Sequence, residues 1–208
     1  MRKMDKNNEK SVLSTLPANY KLGYTLDLQN NKKQAIIVNL AAILTGVALV
    51  VPMIFLVPIN GLFTLKSTEG FDIFMYALRF VVFVLGSILY IIFHELTHGI
   101  FMKLFGAKKV KFGFTFIYAY AGTKEEYFKK WPYIVIALAP VSIFFVIFAI
   151  ACPFLVGTPW FWVVYFLQVQ NIAGAMGDII VSLVFLGKPK NAYIKDEGTS
   201  MQMFVPKD

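Results

Sequence analysis

The chain has 208 residues, of which 58% are hydrophobic, 16% aromatic and only 15% charged. That balance excludes an ordinary soluble domain and points to an integral membrane protein. The net charge of +8 does not indicate nucleic-acid binding, because the lysines cluster in particular segments instead of spreading over a surface.

Met1 to Lys33 is polar and lacks an apolar core followed by a small-residue cleavage site, so no signal peptide is expected and the first span stays as an anchor. Within this arm Tyr20, Leu22, Tyr24, Leu26 and Leu28 alternate as on a strand. Four apolar stretches, at about 35–58, 72–105, 131–156 and 160–186, are long enough to cross a hydrocarbon core of about 30 Å as helices. The second exceeds a simple span, and Arg79 suggests that its first end projects. The expected fold class is an all-α membrane protein of about four transmembrane helices with a small cytoplasmic-side β segment. Its parts are an amino-terminal arm (1–34), one transmembrane domain (35–187) and a tail (188–208).

Charge gives the orientation. Arg2, Lys3, Lys6, Lys10, Lys21, Lys32 and Lys33 precede the first span. Lys103, Lys108, Lys109, Lys111, Lys124, Lys129 and Lys130 lie between the second and third, and Lys188, Lys190, Lys195 and Lys207 follow the fourth. The other two connections hold only Lys66, with Arg79 at the start of the second span. The positive-inside rule therefore places both termini and the long middle loop in the cytoplasm, in a multi-pass protein of the cell membrane.

The second stretch contains His94-Glu95-Leu96-Thr97-His98, with the only two histidines in the chain. Histidines four apart on a helix face one way and can grip one Zn²⁺, while the glutamate between them can act as a base on water. The bland reading, two satisfied core histidines and a glutamate paired with a lysine, conflicts with the flank. Phe80 to Ile92 is almost wholly apolar, and ionisable groups at membrane depth are costly enough to be functional by default.

Catalytic zinc usually has three protein ligands. Of the twelve acidic residues, only Glu95 and Asp178 lie deep within the spans, with Asp72 at an outer end, so Asp178 is the candidate third ligand by elimination, with Cys152 a weaker one. Asn171, Gly174 and Asp178 fall at i, i+3 and i+7 along one helix face. Asp178 also precedes the end of its span by about as many residues as the histidines precede theirs. The alternative is a buried carboxylate that merely locks helices together. Cys152, the lone cysteine, allows no intrachain disulfide and sits near the opposite end of the third span. The site is thus one Zn²⁺ per chain on His94, His98 and Asp178, with Glu95 as base. Asn171 is a candidate hydrogen-bond donor to substrate or oxyanion.

Val110, Phe112, Phe114, Phe116, Tyr118 and Tyr120 alternate with other residues in the middle loop, which indicates a strand. It can pair with the strand of the amino-terminal arm. Such an edge either caps the bundle or holds an extended substrate by strand addition, which makes Phe114, Phe116 and Tyr118 candidate substrate contacts. Gly122-Thr123 and Lys124-Glu125-Glu126 read as solvated loop.

His94 to Gly99, Ala137-Leu138-Ala139-Pro140 and Asn171 to Asp178 together resemble the site-2 protease group of intramembrane zinc metallopeptidases. More closely, the chain looks like small bacterial membrane proteins classed as candidate zincin peptidases. The resemblance covers roughly residues 75 to 187. It implies a three-helix catalytic core, zinc on His94, His98 and Asp178, Glu95 as base and a membrane-associated β segment guiding substrate. The Asp-Gly pair and upstream prolines usual in that group are absent, since Ile179 follows Asp178. The expected function is an intramembrane zinc metalloprotease acting on membrane proteins with a transmembrane segment, near the cytoplasmic side. The partners are those substrates and the bilayer, and no nucleic acid. The rival readings are a catalytically inactive zinc-stabilised scaffold that binds partner helices, and a metal transporter or sensor.

Overall fold

The computed structural model describes residues 11–59, 70–115 and 118–207, with backbone alone at 70–72. The elements run β1 (Val12–Leu13), β2 (Tyr20–Asp27), α1 (Lys32–Leu56), α2 (Gly70–Leu104), β3 (Lys111–Phe114), β4 (Ala119–Gly122), β5 (Tyr127–Lys129), α3 (Lys130–Leu155), α4 (Phe161–Gly174), α5 (Met176–Leu186), β6 (Tyr193–Asp196) and β7 (Ser200–Pro206).

Three segments, Lys32–Leu56, Ile73–Leu104 and Lys130–Leu155, are each long and apolar enough to cross a membrane. The pair α4 and α5, bent by 41°, makes a fourth if it counts as one span. The share of the apolar window buried inside the protein is 6% in α1, 11% in α2 and 28% in α3. Most of their apolar surface thus faces outward, which is stable only against lipid. Since α3 is the most covered, it lies closest to the centre. It packs on α2, α4 and α5, while α1 lies against α4 and α5.

Helix ends follow local chemistry. Asn31 caps α1, its side chain accepting the Gln34 N–H at 3.2 Å. At the other end of the chain, the buried Lys130 ammonium donates to the carbonyls of Leu186 and Lys188. A cation is favourable there, where the last carbonyls of α5 have no helical partner.

The all-α expectation is corrected: the fold is mixed. An antiparallel sheet of order β1-β5-β6-β7-β2 covers the end of the bundle where α3 begins and α5 ends, and β3 pairs with β4 as a separate two-stranded ribbon. Residues 188–208, read as a tail, supply two of the five strands. Their side chains alternate between buried and half-buried, with Ile194, Met201 and Met203 inside. The middle-loop strand does not pair with the amino-terminal arm. It doubles back on itself, because the Thr115 backbone N–H bonds the Tyr118 carbonyl at 2.7 Å and closes a turn, and β2 pairs with β7 instead. The segment read as solvated loop is partly internal: Thr123 and Glu126 are buried, and Glu126 accepts the Lys108 N–H at 2.6 Å.

Phe128, Tyr133, Val181, Phe185, Ile194 and Met203 form the core beneath the sheet. At the far end of the bundle Phe161, Trp162 and Tyr165 form a second cluster.

Candidate metal centre

Tyr90, His94 and His98 are spaced i, i+4 and i+8 on α2 and share one face, turned into the protein. All three are buried, in a helix whose other faces are exposed and apolar. Asp178 comes from the first turn of α5, just past the break at Ala175. Asp178 lies 8 residues before the last residue of α5 and His94 and His98 lie 10 and 6 before the last residue of α2, by subtraction of the helix bounds. The two helices enter the sheet end together, so the three groups meet at one level.

The Nε2 atoms of His94 and His98 are 3.2 Å apart. Each is 3.4 Å from Asp178 Oδ2. Hydrogen bonding to the opposite ring atoms explains how this trio could hold a cation. His98 Nδ1 is 2.9 Å from the Ile136 carbonyl, which can only accept, so the proton sits on Nδ1. That carbonyl is available because Pro140, four residues on, has no N–H to give it. At His94 the bonds run through two further side chains, Tyr90 and Asn171. The Val141 carbonyl accepts from Asn171 Nδ2 at 3.1 Å, which turns Asn171 Oδ1 toward Tyr90. Tyr90 donates its O–H to that oxygen at 3.0 Å, so at its other contact, 2.8 Å from His94 Nδ1, it accepts. Both Nδ1 atoms carry the proton, so in the neutral imidazoles both Nε2 lone pairs point at each other and at a carboxylate oxygen.

Three electron-rich atoms this close repel one another unless a positive ion lies among them. Corners of a tetrahedron about 2.0–2.1 Å from a zinc ion stand about 3.3–3.4 Å apart. The measured separations of 3.2, 3.4 and 3.4 Å match, so the residues present fit the metal. Two imidazoles and a carboxylate are also a donor set found in catalytic zinc sites, and the Tyr90, Asn171 and Ile136 contacts are the outer bonds that fix ring orientation in such sites.

A family profile described as "Putative zincin peptidase" (DUF3267) matches residues 87–193. The chain belongs to this family. A protein of Pyrococcus woesei, described as "Uncharacterized 24.7 kDa protein in gap 5'region", is 36% identical over 127 residues, which is 57% of this chain and 53% of that one. The chain therefore spans about half the length of this curated relative. No solved structure matches. The zincin-family match takes in Tyr90, both histidines, Glu95, Pro140, Asn171 and Asp178, while Asp196 and β7 lie beyond it.

The metal trio forms the floor of a cavity of about 340 Å³. Its walls come from α1 (Val38, Asn39, Ala42), β4 and the Asp196–Met201 turn, and Glu95 lines it beside the histidines. The Ala121 backbone N–H on β4 is directed at the Glu95 carboxylate. Tyr118 also lines the cavity, and its hydroxyl accepts from Asn39 Nδ2 at 3.1 Å, which ties the ribbon to α1. Phe114 is 75% exposed and is not part of the wall, and Phe116 lies outside the described residues. Asn171 is fully buried, with its amide protons directed to Val141 and Gln168, so it has no donor left for a substrate.

Three participants escaped sequence reasoning. Tyr90 was legible, one helical turn before His94 on the same face. The Ile136 carbonyl was legible through Pro140, whose segment stood out without a role. Asp196 was not legible, since only the fold brings the carboxyl-terminal hairpin over the cavity. It accepts from Tyr133 O–H at 2.8 Å and from the Gly198 N–H at 2.7 Å. Burial pushes its carboxyl up to about 7, against the lowering effect of those two bonds.

Proposed function

We propose that the protein is a membrane-embedded zinc peptidase that hydrolyses peptide bonds of membrane proteins within the cavity above His94, His98 and Asp178. One observation carries the reading: two imidazole lone pairs and a carboxylate oxygen converge at tetrahedral spacing, with Glu95 beside them in a cavity set between membrane-length helices. A zinc ion held by the three side chains supplies Lewis acidity, making water a competent nucleophile at neutral pH and polarising a carbonyl.

The chain's own groups do the rest. Glu95 takes a proton from the attacking water as the new C–O bond forms, and returns it to the amide nitrogen as the C–N bond breaks. Tyr90, Asn171 and the Ile136 carbonyl are positioning groups that hold the imidazoles in the productive tautomer. The outer edge of β4 suits an extended substrate, because backbone amides alternate in direction along a strand and that of Ala119 turns to the same side as that of Ala121. Strand addition there brings a peptide bond past Glu95. Tyr118 contacts the substrate from the cavity wall, and Phe114 acts at the ribbon's outer rim.

The lysine distribution supports a sheet end in the cytoplasm, with cleavage on that side of the cell membrane. The intact Glu95 speaks against an inactive scaffold. A single metal-capable group among the described residues speaks against a transport path, which needs successive sites.

The test is Glu95→Gln in the full chain, reconstituted with zinc and offered a panel of transmembrane peptides. We expect hydrolysis to fall by about 10²–10⁴-fold with zinc content unchanged. Retained hydrolysis rejects Glu95 as the base.

A further inference from the structure

We infer that the lysine-rich face beside the β3–β4 ribbon docks on anionic phospholipid headgroups, and that this contact sets the position of the cavity wall. The second half rests on the peptidase reading above, and the first half stands without it.

The exposed apolar row of α2, Leu96, Ile100 and Leu104, does not stop at the helix end. Leu104 is 72% exposed, and the next strand presents Phe112 and Phe114, 54% and 75% exposed. Bordering this row are five exposed lysines, Lys103, Lys108, Lys109, Lys111 and Lys124. None of the five forms an ion pair among the described residues. The strand register sets Lys111 opposite Gly122, and Lys109 and Lys124 each stand two residues beyond that pair, so the three lysines gather at one end of the ribbon. Desolvation, then Lys124 and Lys109, hold the Lys111 ammonium below its ordinary value, and Glu125 only partly offsets them. Ammonium groups crowded in this way call for a shared anion. The aromatic fringe selects the kind of anion: a phosphate that arrives with hydrocarbon beneath it satisfies both halves of the surface, as a soluble acidic peptide does not.

The link to the cavity is steric. A Cβ at Gly99, the residue after His98, would lie 2.4 Å from the Phe112 ring, so that ring rests directly on the catalytic helix. Lys111 and Phe112 pair with Gly122 and Ala121 of β4, and Ala121 faces Glu95. A headgroup holding Lys109, Lys111 and Lys124 therefore holds both strands of the ribbon against the site.

The test uses the full-length chain in nanodiscs of phosphatidylcholine with or without about 30% phosphatidylglycerol, and two variants of nearly matched charge loss. Lys109→Gln/Lys111→Gln/Lys124→Gln removes the proposed surface. Lys32→Gln/Lys33→Gln removes charge from the start of α1 at the same end of the bundle. Phosphatidylglycerol retained after detergent extraction is counted by native mass spectrometry. The inference expects several-fold less retained lipid in the triple variant and near-wild-type retention in the double. Equal retention in wild type and triple variant, or equal loss in both variants, overturns it. With transmembrane-peptide hydrolysis as a second readout, phosphatidylglycerol should raise the wild-type rate several-fold and leave the triple variant's rate flat. A rise that survives in the triple variant overturns the coupling to the site. Absence of hydrolysis in every bilayer counts against the peptidase reading and leaves the lipid count to decide the docking.

Discussion

The two ends of the helical bundle are held together in different ways. At the far end, Phe161, Trp162 and Tyr165 pack ring on ring, with centroids 5.6–5.7 Å apart. At the sheet end, directed bonds run from Val141 through Asn171 and Tyr90 to His94, and from Ile136 to His98. Apolar packing is non-directional and tolerates small slips. A metal centre does not, since a proton on the wrong ring nitrogen removes a ligand outright. The aromatic end relies chiefly on packing, whereas the sheet end adds to its own apolar core a bond network that sets geometry.

Trp162→Ala should separate these roles most strongly. Loss of a fully buried indole costs about 3–5 kcal/mol of stability, yet zinc per folded chain should stay at the wild-type level. Thermal unfolding alongside metal analysis reads both, and parallel loss of zinc would show that the ends are not independent. Tyr90→Phe is the converse. It removes one oxygen and little packing but leaves Asn171 Oδ1 and His94 Nδ1 unpaired. The zinc-free protein should therefore lose about 1–3 kcal/mol, less than in Trp162→Ala, while zinc affinity weakens by about 10–100-fold. Unchanged affinity in a chelator competition would dismiss the tautomer argument.

A smaller effect is expected at Asp196. Its folded-state carboxyl titrates near 7, above the ordinary 3.8, so between those values the folded state binds more protons than the unfolded one. The stability this contributes is complete below about 3.8 and is lost as pH rises through about 7. Asp196→Asn should therefore flatten the pH dependence of unfolding of the zinc-free protein across that window. An unaltered profile would place the titration elsewhere.

The same contrast explains what the sequence disclosed. His94, His98 and Asp178 were legible because charge at membrane depth is rare and span ends can be counted. The four apolar stretches were legible by length, and the observed helices start and stop within a few residues of them. The break at Ala175 was hidden, since nothing local to Ala175-Met176-Gly177 distinguishes a bent span from a straight one. The sheet was hidden for another reason. Tyr20 pairs with Pro206, and Phe128 with Ile194, and alternation in each segment names no partner. Asn171 was read as a donor to substrate or oxyanion, whereas its amide is directed to Val141 and Gln168. Its role as an organiser required knowing that Tyr90 and Val141 lie on either side of it.

Whether His94, His98 and Asp178 act as one metal site can be read from zinc content. Detergent-purified protein, wild type beside Asp178→Ala, should be measured after identical zinc loading and desalting. About one zinc is expected per wild-type chain, with loss or severe weakening of binding in the variant. Equal zinc in both proteins, or none in the reconstituted wild type, would contradict a metal site on these three residues.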